Sequence, residues 1–295
     1  MIKYKLLLAP LFLVLLQNVV FAQQNLRYTQ WKQDRIEEVR SEDGWLNLAG
    51  LHWLENNKNK LVIDSNMMSL AGNPTDKSLG YFEWNADSVW FLPTISVQQT
   101  YQLPPKILQF PEEHYGDRAL KVDKWKWSII ERDGLFGVRI RDLHHPALDQ
   151  FESIPNYDYQ DAWAIEAKLI PKFNEFIMIT NVLGQQYEWR VMGHILFEYQ
   201  GKQYELLALE ETGKLWVIFS DETNLNETYP TGRYLYVDFP DKTGKLNLDF
   251  NYAYNPPCAF TSFATCPIPP KENRLDFAVS AGEKRPKEFS KHQKP

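Results

Sequence analysis

The chain has 295 residues and a formal net charge of −6, with 38 acidic against 32 basic side chains. An acidic chain without a basic block is a poor binder of nucleic acid or of anionic membrane surfaces, both of which need clustered Lys and Arg. Its 17 Phe, 15 Tyr and 10 Trp supply a large core; the same rings also suit a surface that stacks on a sugar or another ring.

Residues 1–5 include Lys3 and Lys5, residues 6–16 form an apolar run broken by Pro10, and Val20-Phe21-Ala22 ends the segment with small residues. That order reads as a secretory leader over residues 1–22, cleaved near Ala22. The apolar run is too short to span a bilayer comfortably. Gln23 follows Ala22, where a bacterial lipid anchor needs a cysteine. We therefore expect an exported protein, periplasmic or secreted, with no stable membrane anchor. Loss of Lys3 and Lys5 with an acid-free leader takes the charge from −6 to −8.

Residues 26–42 place Trp31, Ile36 and Val39 on a loose apolar stripe, which predicts a helix. Ser41-Glu-Asp-Gly44 ends it, with glycine as the C-cap. Beyond Gly44 the pattern is strand-like. A short strand fits 60–64. Hairpins are predicted for 80–84 with 88–92, for 124–130 with 135–141 across Asp133-Gly134, and for 176–180 with 186–191. Another joins 195–199 to 204–209 at Gly201. Residues 214–220 are one apolar strand, and 234–239 with 245–254 make a hairpin across Asp241-Lys-Thr-Gly244. Short, evenly spaced strands predict a mainly β fold, an antiparallel β-sandwich or barrel-like body with an N-terminal helix. One domain is expected over 23–282, with two β units meeting near 151–163, followed by a flexible basic tail over 283–295.

Both cysteines, Cys258 and Cys266, sit among prolines in the stretch 255–270. In an oxidising compartment they read as a disulfide, against the alternative of two reduced thiols. No metal is expected, since two cysteines are too few and His144-His145 would point to opposite sides of a strand. No Gly-x-Ser-x-Gly elbow, phosphate-cradling loop or dinucleotide fingerprint occurs, so no cofactor is expected.

Candidate site residues come from three places. Strict alternation over 245–254 puts Asn247, Asp249 and Asn251 on one polar row that leads through Tyr254 to Asn255 and the cysteine loop. The row reads as a pocket wall or as a solvent-facing strand. Asp221 ends an apolar strand, and Tyr229 and Arg233 follow, a set able to bind a carboxylate, phosphate or sugar hydroxyl. The plain alternative is an Asp221–Arg233 ion pair bracing a loop. Arg139 and Arg141 share one face of their strand, which is costly to bury unless acids or a ligand meet them.

The segments Gly44-Trp-Leu-Asn-Leu-Ala-Gly-Leu-His-Trp-Leu54, Arg139-Ile-Arg-Asp142, Phe219-Ser-Asp221, Thr228-Tyr229 and Gly232-Arg233 resemble the bacterial family known as domain of unknown function 1684. So does the run from Asp249 through Cys258 and Cys266 to Arg274. The resemblance implies a single, mostly β body and marks those polar residues as recurring positions; it implies no activity. Asn56-Asn-Lys-Asn59 stands where a glycine turn is expected, and Asn tolerates that conformation.

Three functions fit. The first is a monomeric exported protein that binds a small polar ligand, such as a glycan fragment, in a polar cleft. In that reading Arg139, Arg141, Tyr229, Arg233, Asp249, Asn251 and Asn255 are the contacts. The second is a cofactor-independent hydrolase with Asp221 or Asp249 as the acid or base and Arg233 holding the substrate. The third is a structural envelope protein.

Overall fold

The computed structural model describes residues 8–55, 59–64, 66–71, 77–114 and 116–286, with backbone alone for 8–22. The first seven residues of the expected leader, the Asn56-Asn-Lys58 part of the expected turn and residues 287–295 of the expected tail lie outside the described residues. Helix α1 spans Leu8–Arg40. It buries Tyr28, Arg35 and Val39, with Trp31 and Ile36 half-buried beside them, a stripe at helical spacing. Gly44 ends the helix by close approach, not by a left-handed backbone. A Cβ there would collide with the Val39 carbonyl, which accepts from Trp45 N at 3.0 Å and Leu46 N at 3.1 Å.

Two antiparallel sheets follow. One contains β1 (Leu48–Trp53), β9 (Leu135–Asp142), β8 (Trp125–Arg132) and β7 (Leu120–Val122) in that order. The other runs β3 (Met67–Ala71), β2 (Lys60–Asp64), β4 (Ser78–Trp84), β5 (Val89–Pro93) and β6 (Ile107–Phe110). They enclose a core in which Phe91 contacts Phe82 at 5.1 Å and Trp127 at 5.2 Å between centroids. The β8–β9 hairpin turns at Asp133-Gly134 with φ of 55° and 72°, the mirror-image turn that suits strand twist. Along β9, Phe136, Val138 and Ile140 enter the core. Alternation therefore sends Arg139 and Arg141 to the outer face.

The third sheet is a half-barrel in the order β14 (Arg233–Val237), β13 (Lys214–Phe219), β12 (Lys202–Glu211), β11 (Gln186–Tyr199), β10 (Ala164–Thr180) and β15 (Lys245–Asp249). Its inner face packs Trp163, Phe197, Phe219 and Phe250. Its outer face carries Val191, Leu209, Trp216, Ile218 and Tyr234. Burial on both faces explains why β13 is apolar without alternation. Among the described residues, the pairings of these strands lie within 48–142 or within 164–249, and isolated bridges such as Asn156↔Glu283 and Asn181↔Pro267 add the C-terminal segment. Between them, Phe151 and Ile154 pack with Val39, Leu46 and Phe260.

Three expectations are corrected. The segments 234–239 and 245–254 meet at the Asp241 turn and at one antiparallel bridge, Tyr234↔Tyr254, but form no continuous hairpin ladder: β14 pairs with β13, while β15 pairs with β10 in the register Ala164↔Asp249. The pieces 186–191 and 195–199 are one strand, β11, irregular near Gly193. The last strand stops at Asp249, whose carboxylate accepts from Asn251 N at 3.0 Å and opens a single 3-10 turn, Phe250–Tyr252. The polar row therefore breaks, with Asn247 exposed and Asn251 fully buried. The start of the expected tail is also fixed. Glu283 is fully buried, Lys284 N bonds Pro155 O at 2.7 Å, and Arg285 N bonds Glu227 O at 3.0 Å.

Cys258 and Cys266 form a disulfide with Cα atoms 6.1 Å apart. Replacing both with Ala should cost about 2–3 kcal/mol by removing the constraint on the unfolded chain. Urea denaturation of the two proteins checks this, and superimposable curves would show that the crosslink adds nothing.

Candidate functional site

The outward arginines of β9 meet the loop that follows α1. Arg139 and Arg141 both lie over the Trp45 ring, at 5.6 and 5.9 Å from its centroid. Arg141 donates to Asn47 Oδ1 at 2.8 Å and to the Gly44 carbonyl. Asn47 Nδ2 in turn donates to Glu42 O at 2.7 Å. Arg141 thus anchors the loop, and Arg139 is buried beside it.

Helix α1 seats itself on the half-barrel through Arg35. Its Nε donates to Glu283 Oε1 at 2.8 Å, with both side chains almost wholly out of water. The other Glu283 oxygen accepts from Asn255 N at 2.7 Å. The guanidinium lies 4.7 Å from the Tyr254 ring centroid. Burial works against the Arg35 charge, but Glu283 and Glu38 outweigh it and hold the group above its ordinary range.

The disulfide loop is pinned at both ends. Tyr229 Oη donates to Cys258 O at 2.9 Å, and Tyr234 Oη to Pro267 O at 2.8 Å. Val182 N bonds Cys266 O at 3.0 Å and Ile268 N bonds Thr180 O at 2.9 Å, which extends the pairing of β10.

These parts enclose a cavity of about 240 Å³ on the outer face of the half-barrel. Rings of Trp45, Tyr187, Trp189 and Tyr236 border it, as do Arg35, Arg132 and Arg139 and the acids Glu38 and Glu211. Burial pushes the Glu211 carboxyl up, and Arg132 pulls it part of the way back. Asn255 also lines the cavity, and its buried Oδ1 has no hydrogen-bond partner.

Of the residues singled out in the sequence, the cavity brings together Arg139, Asn255 and Cys266. Tyr229 serves the loop. Asp221 and Arg233 form the alternative brace, a 2.8 Å ion pair with both side chains fully buried. Arg233 also donates to Val279 O at 2.9 Å and to Ala281 O, and Asp221 accepts from Thr223 N at 2.8 Å. Asn251 exchanges hydrogen bonds with the Gln160 backbone at 3.0 and 2.9 Å, which fixes the entry to β10. Asp249 borders a second cavity of about 640 Å³ beside Trp31, Tyr159 and Tyr252. Its burial pushes the carboxyl up, while bonds from Asn251 and Tyr159 pull it down by less. Among the described residues no group of three or more His, Cys, Asp or Glu could hold a metal. Likewise, no helix among them is long and apolar enough to cross a membrane.

Sequence reasoning missed Arg35, Glu211 and the outer-face rings. Arg35 had a signal: a cation in line with Tyr28 and Val39 on the buried stripe must meet an acid or a ligand.

The family model "Protein of unknown function (DUF1684)" matches residues 149–284. That stretch holds the half-barrel, the disulfide loop and Glu283; Arg35, Trp45, Arg132 and Arg139 lie before it. Among solved structures, the chain is similar to an uncharacterized protein of Haloarcula marismortui determined by solution NMR. The identity is 28%, with 46% of this chain and 78% of that chain covered, and the TM-score is 0.39. No curated protein matches the chain.

Two outcomes follow from the buried acids. Asp221→Asn strips the wholly buried Arg233 of its counter-charge and should lower stability by about 3–5 kcal/mol, read by urea denaturation; a change near zero would contradict the brace. Asp249 has the opposite sign. Its raised pKa means that the folded state holds the proton more firmly, so its contribution is full below the ordinary aspartate range. That contribution is lost as pH rises through the folded value. Asp249→Asn should therefore gain stability relative to the wild type as pH rises through that window, then level off. A difference independent of pH would rule this out.

Proposed function

We propose, for a chain whose residues 149–284 match the DUF1684 family model, that the protein is exported and binds a small polar ligand in the 240 Å³ cavity. The observation that carries this reading is the convergence there of arginines and aromatic rings from α1 and the loop after it, the outer face of the sandwich and the outer face of the half-barrel, with the disulfide loop closing the remaining side. Apolar walls with a few convergent polar groups are the usual make-up of a ligand site. Export is supported by the order of basic, apolar and small residues over 1–22, and a disulfide suits an oxidising compartment. Tyr28, Arg35 and Val39, which α1 buries against the body, lie beyond Ala22 and are retained on cleavage there.

A second reading rests on Asp249. A carboxyl raised by burial, next to Tyr159 in a larger cavity, is suited to hold a proton for general acid catalysis. Asp221 suits that role less, because it is enclosed and committed to Arg233.

A screen of small polar metabolites by thermal unfolding tests the binding reading. At least one compound should stabilise the wild type, by about 2.7 kcal/mol at a hundredfold excess over Kd, and should lose that effect in Arg139→Gln. Stabilisation by none would favour a structural envelope role. Turnover of a stabilising compound that disappears in Asp249→Asn, with the fold intact, would favour the hydrolase.

A further inference from the structure

Removal of a leader creates a new first residue, and cleavage after Ala22 makes that residue Gln23. A glutamine with a free α-amine holds a nucleophile and an electrophile within one residue. Its amine nitrogen and its side-chain carboxamide carbon are the two ends of a five-membered ring waiting to close. Gln24 and the glutamines beyond it lack this chemistry, because their backbone nitrogens are already amides.

The reaction balances without a partner. The neutral amine attacks Gln23 Cδ, and a new C–N bond closes the lactam. The bond from Cδ to Nε2 breaks, and that nitrogen leaves as ammonia with the proton that the amine gives up. Nothing is oxidised or reduced. An α-amine titrates at about 7.7–8.0, so roughly a tenth of it is neutral and reactive at pH 7.

The fold leaves this end accessible and gains from the reaction. Gln23 is exposed. The first described side chain that α1 buries is Tyr28, whose Oη donates to Tyr157 O at 2.9 Å. With the leader gone, residues 23–27 become the first turn of the helix, at the positive end of its dipole. They hold no acid, and Arg27 stands four positions after Gln23, on the same face. Dipole and like charge both oppose an α-ammonium there, and a neutral lactam escapes both. The position also matters to the body. Gln24 and Arg27 border the second cavity with Trp31, Asp249 and Tyr252. An aminopeptidase needs a free α-amine and would pare this wall from its end, whereas the lactam offers none.

Resting on the export reading above, we infer that Gln23 is a modification site: in the mature protein it is pyroglutamate, which closes the N-terminus to exopeptidases ahead of the second cavity's wall.

Expression of the full chain with its own residues 1–22, followed by intact-mass measurement of the exported protein, tests this. The expected mass lies about 17 Da, one ammonia, below that of residues 23–295 with the disulfide closed. Fragment spectra should place the loss on Gln23, and pyroglutamyl peptidase should remove that residue. Gln23→Ala should keep the cleavage site and show no such loss. A broad-specificity aminopeptidase should shorten that variant and leave the wild type whole. A mature chain that begins at Gln23 without the loss overturns the inference and leaves export standing. A mature chain that begins at another residue overturns the assignment to Gln23. A full-length mass that retains residues 1–22 overturns the export reading and the inference with it. A variant as resistant as the wild type overturns the protective role and leaves the lactam in place.

Discussion

Arg35 and Glu283 lie 248 positions apart in sequence and 2.8 Å apart in space, both almost wholly out of water. Such a pair stands only when the remaining hydrogen-bonding capacity is met, because removing two charges from water costs several kcal/mol per ion. Here it is met. Glu283 accepts the Asn255 N–H, and Arg35 also bonds Glu38 and lies over Tyr254. One interaction therefore sets the positions of the helix, the end of the half-barrel and the C-terminal segment. The cavity is the space they leave between them.

The second constraint is the two-sided half-barrel. Its inner face is an ordinary core, while its outer face is only partly covered and uses Trp and Tyr. Those residues present an apolar body and a polar tip. Two of the tips are engaged: Trp216 Nε1 donates to Tyr254 Oη at 3.1 Å and Tyr234 Oη to Pro267 O. A sheet face finished this way tolerates both neighbouring protein and an open cleft. The arginines of β9 complete it from the sandwich, placed there by strict alternation with Val138 and Ile140.

Local pattern made much of the fold legible. The Asp133-Gly134 hairpin, the Asn85 hairpin, the apolar β13 and the mainly β class follow from turn chemistry and period. The chain reads poorly where tertiary context overrides pattern. Alternation over 245–254 is clear, yet Asp249 caps a 3-10 turn and ends the strand. Two neighbouring strands joined by a good turn look like a hairpin, yet β15 finds β10 across the half-barrel. Pro171 argues against a strand, yet β10 passes through it at an irregularity beyond the pairing with β15. The cavity has no local signature, because its walls come from segments scattered between Arg35 and Pro267. Arg139, Asn255 and the cysteine loop were visible only as odd residues, and their meeting was not.

The location of Glu283 has a consequence for how the molecule is made. A chain leaves the ribosome N-terminus first, and units fold in that order. The sandwich has all its strand pairings within residues 48–142, so it closes early. Arg35 is made long before the Glu283 that it grips. A molecule cut short of Glu283 keeps every strand pairing of the sandwich and leaves the buried Arg35 without that carboxylate.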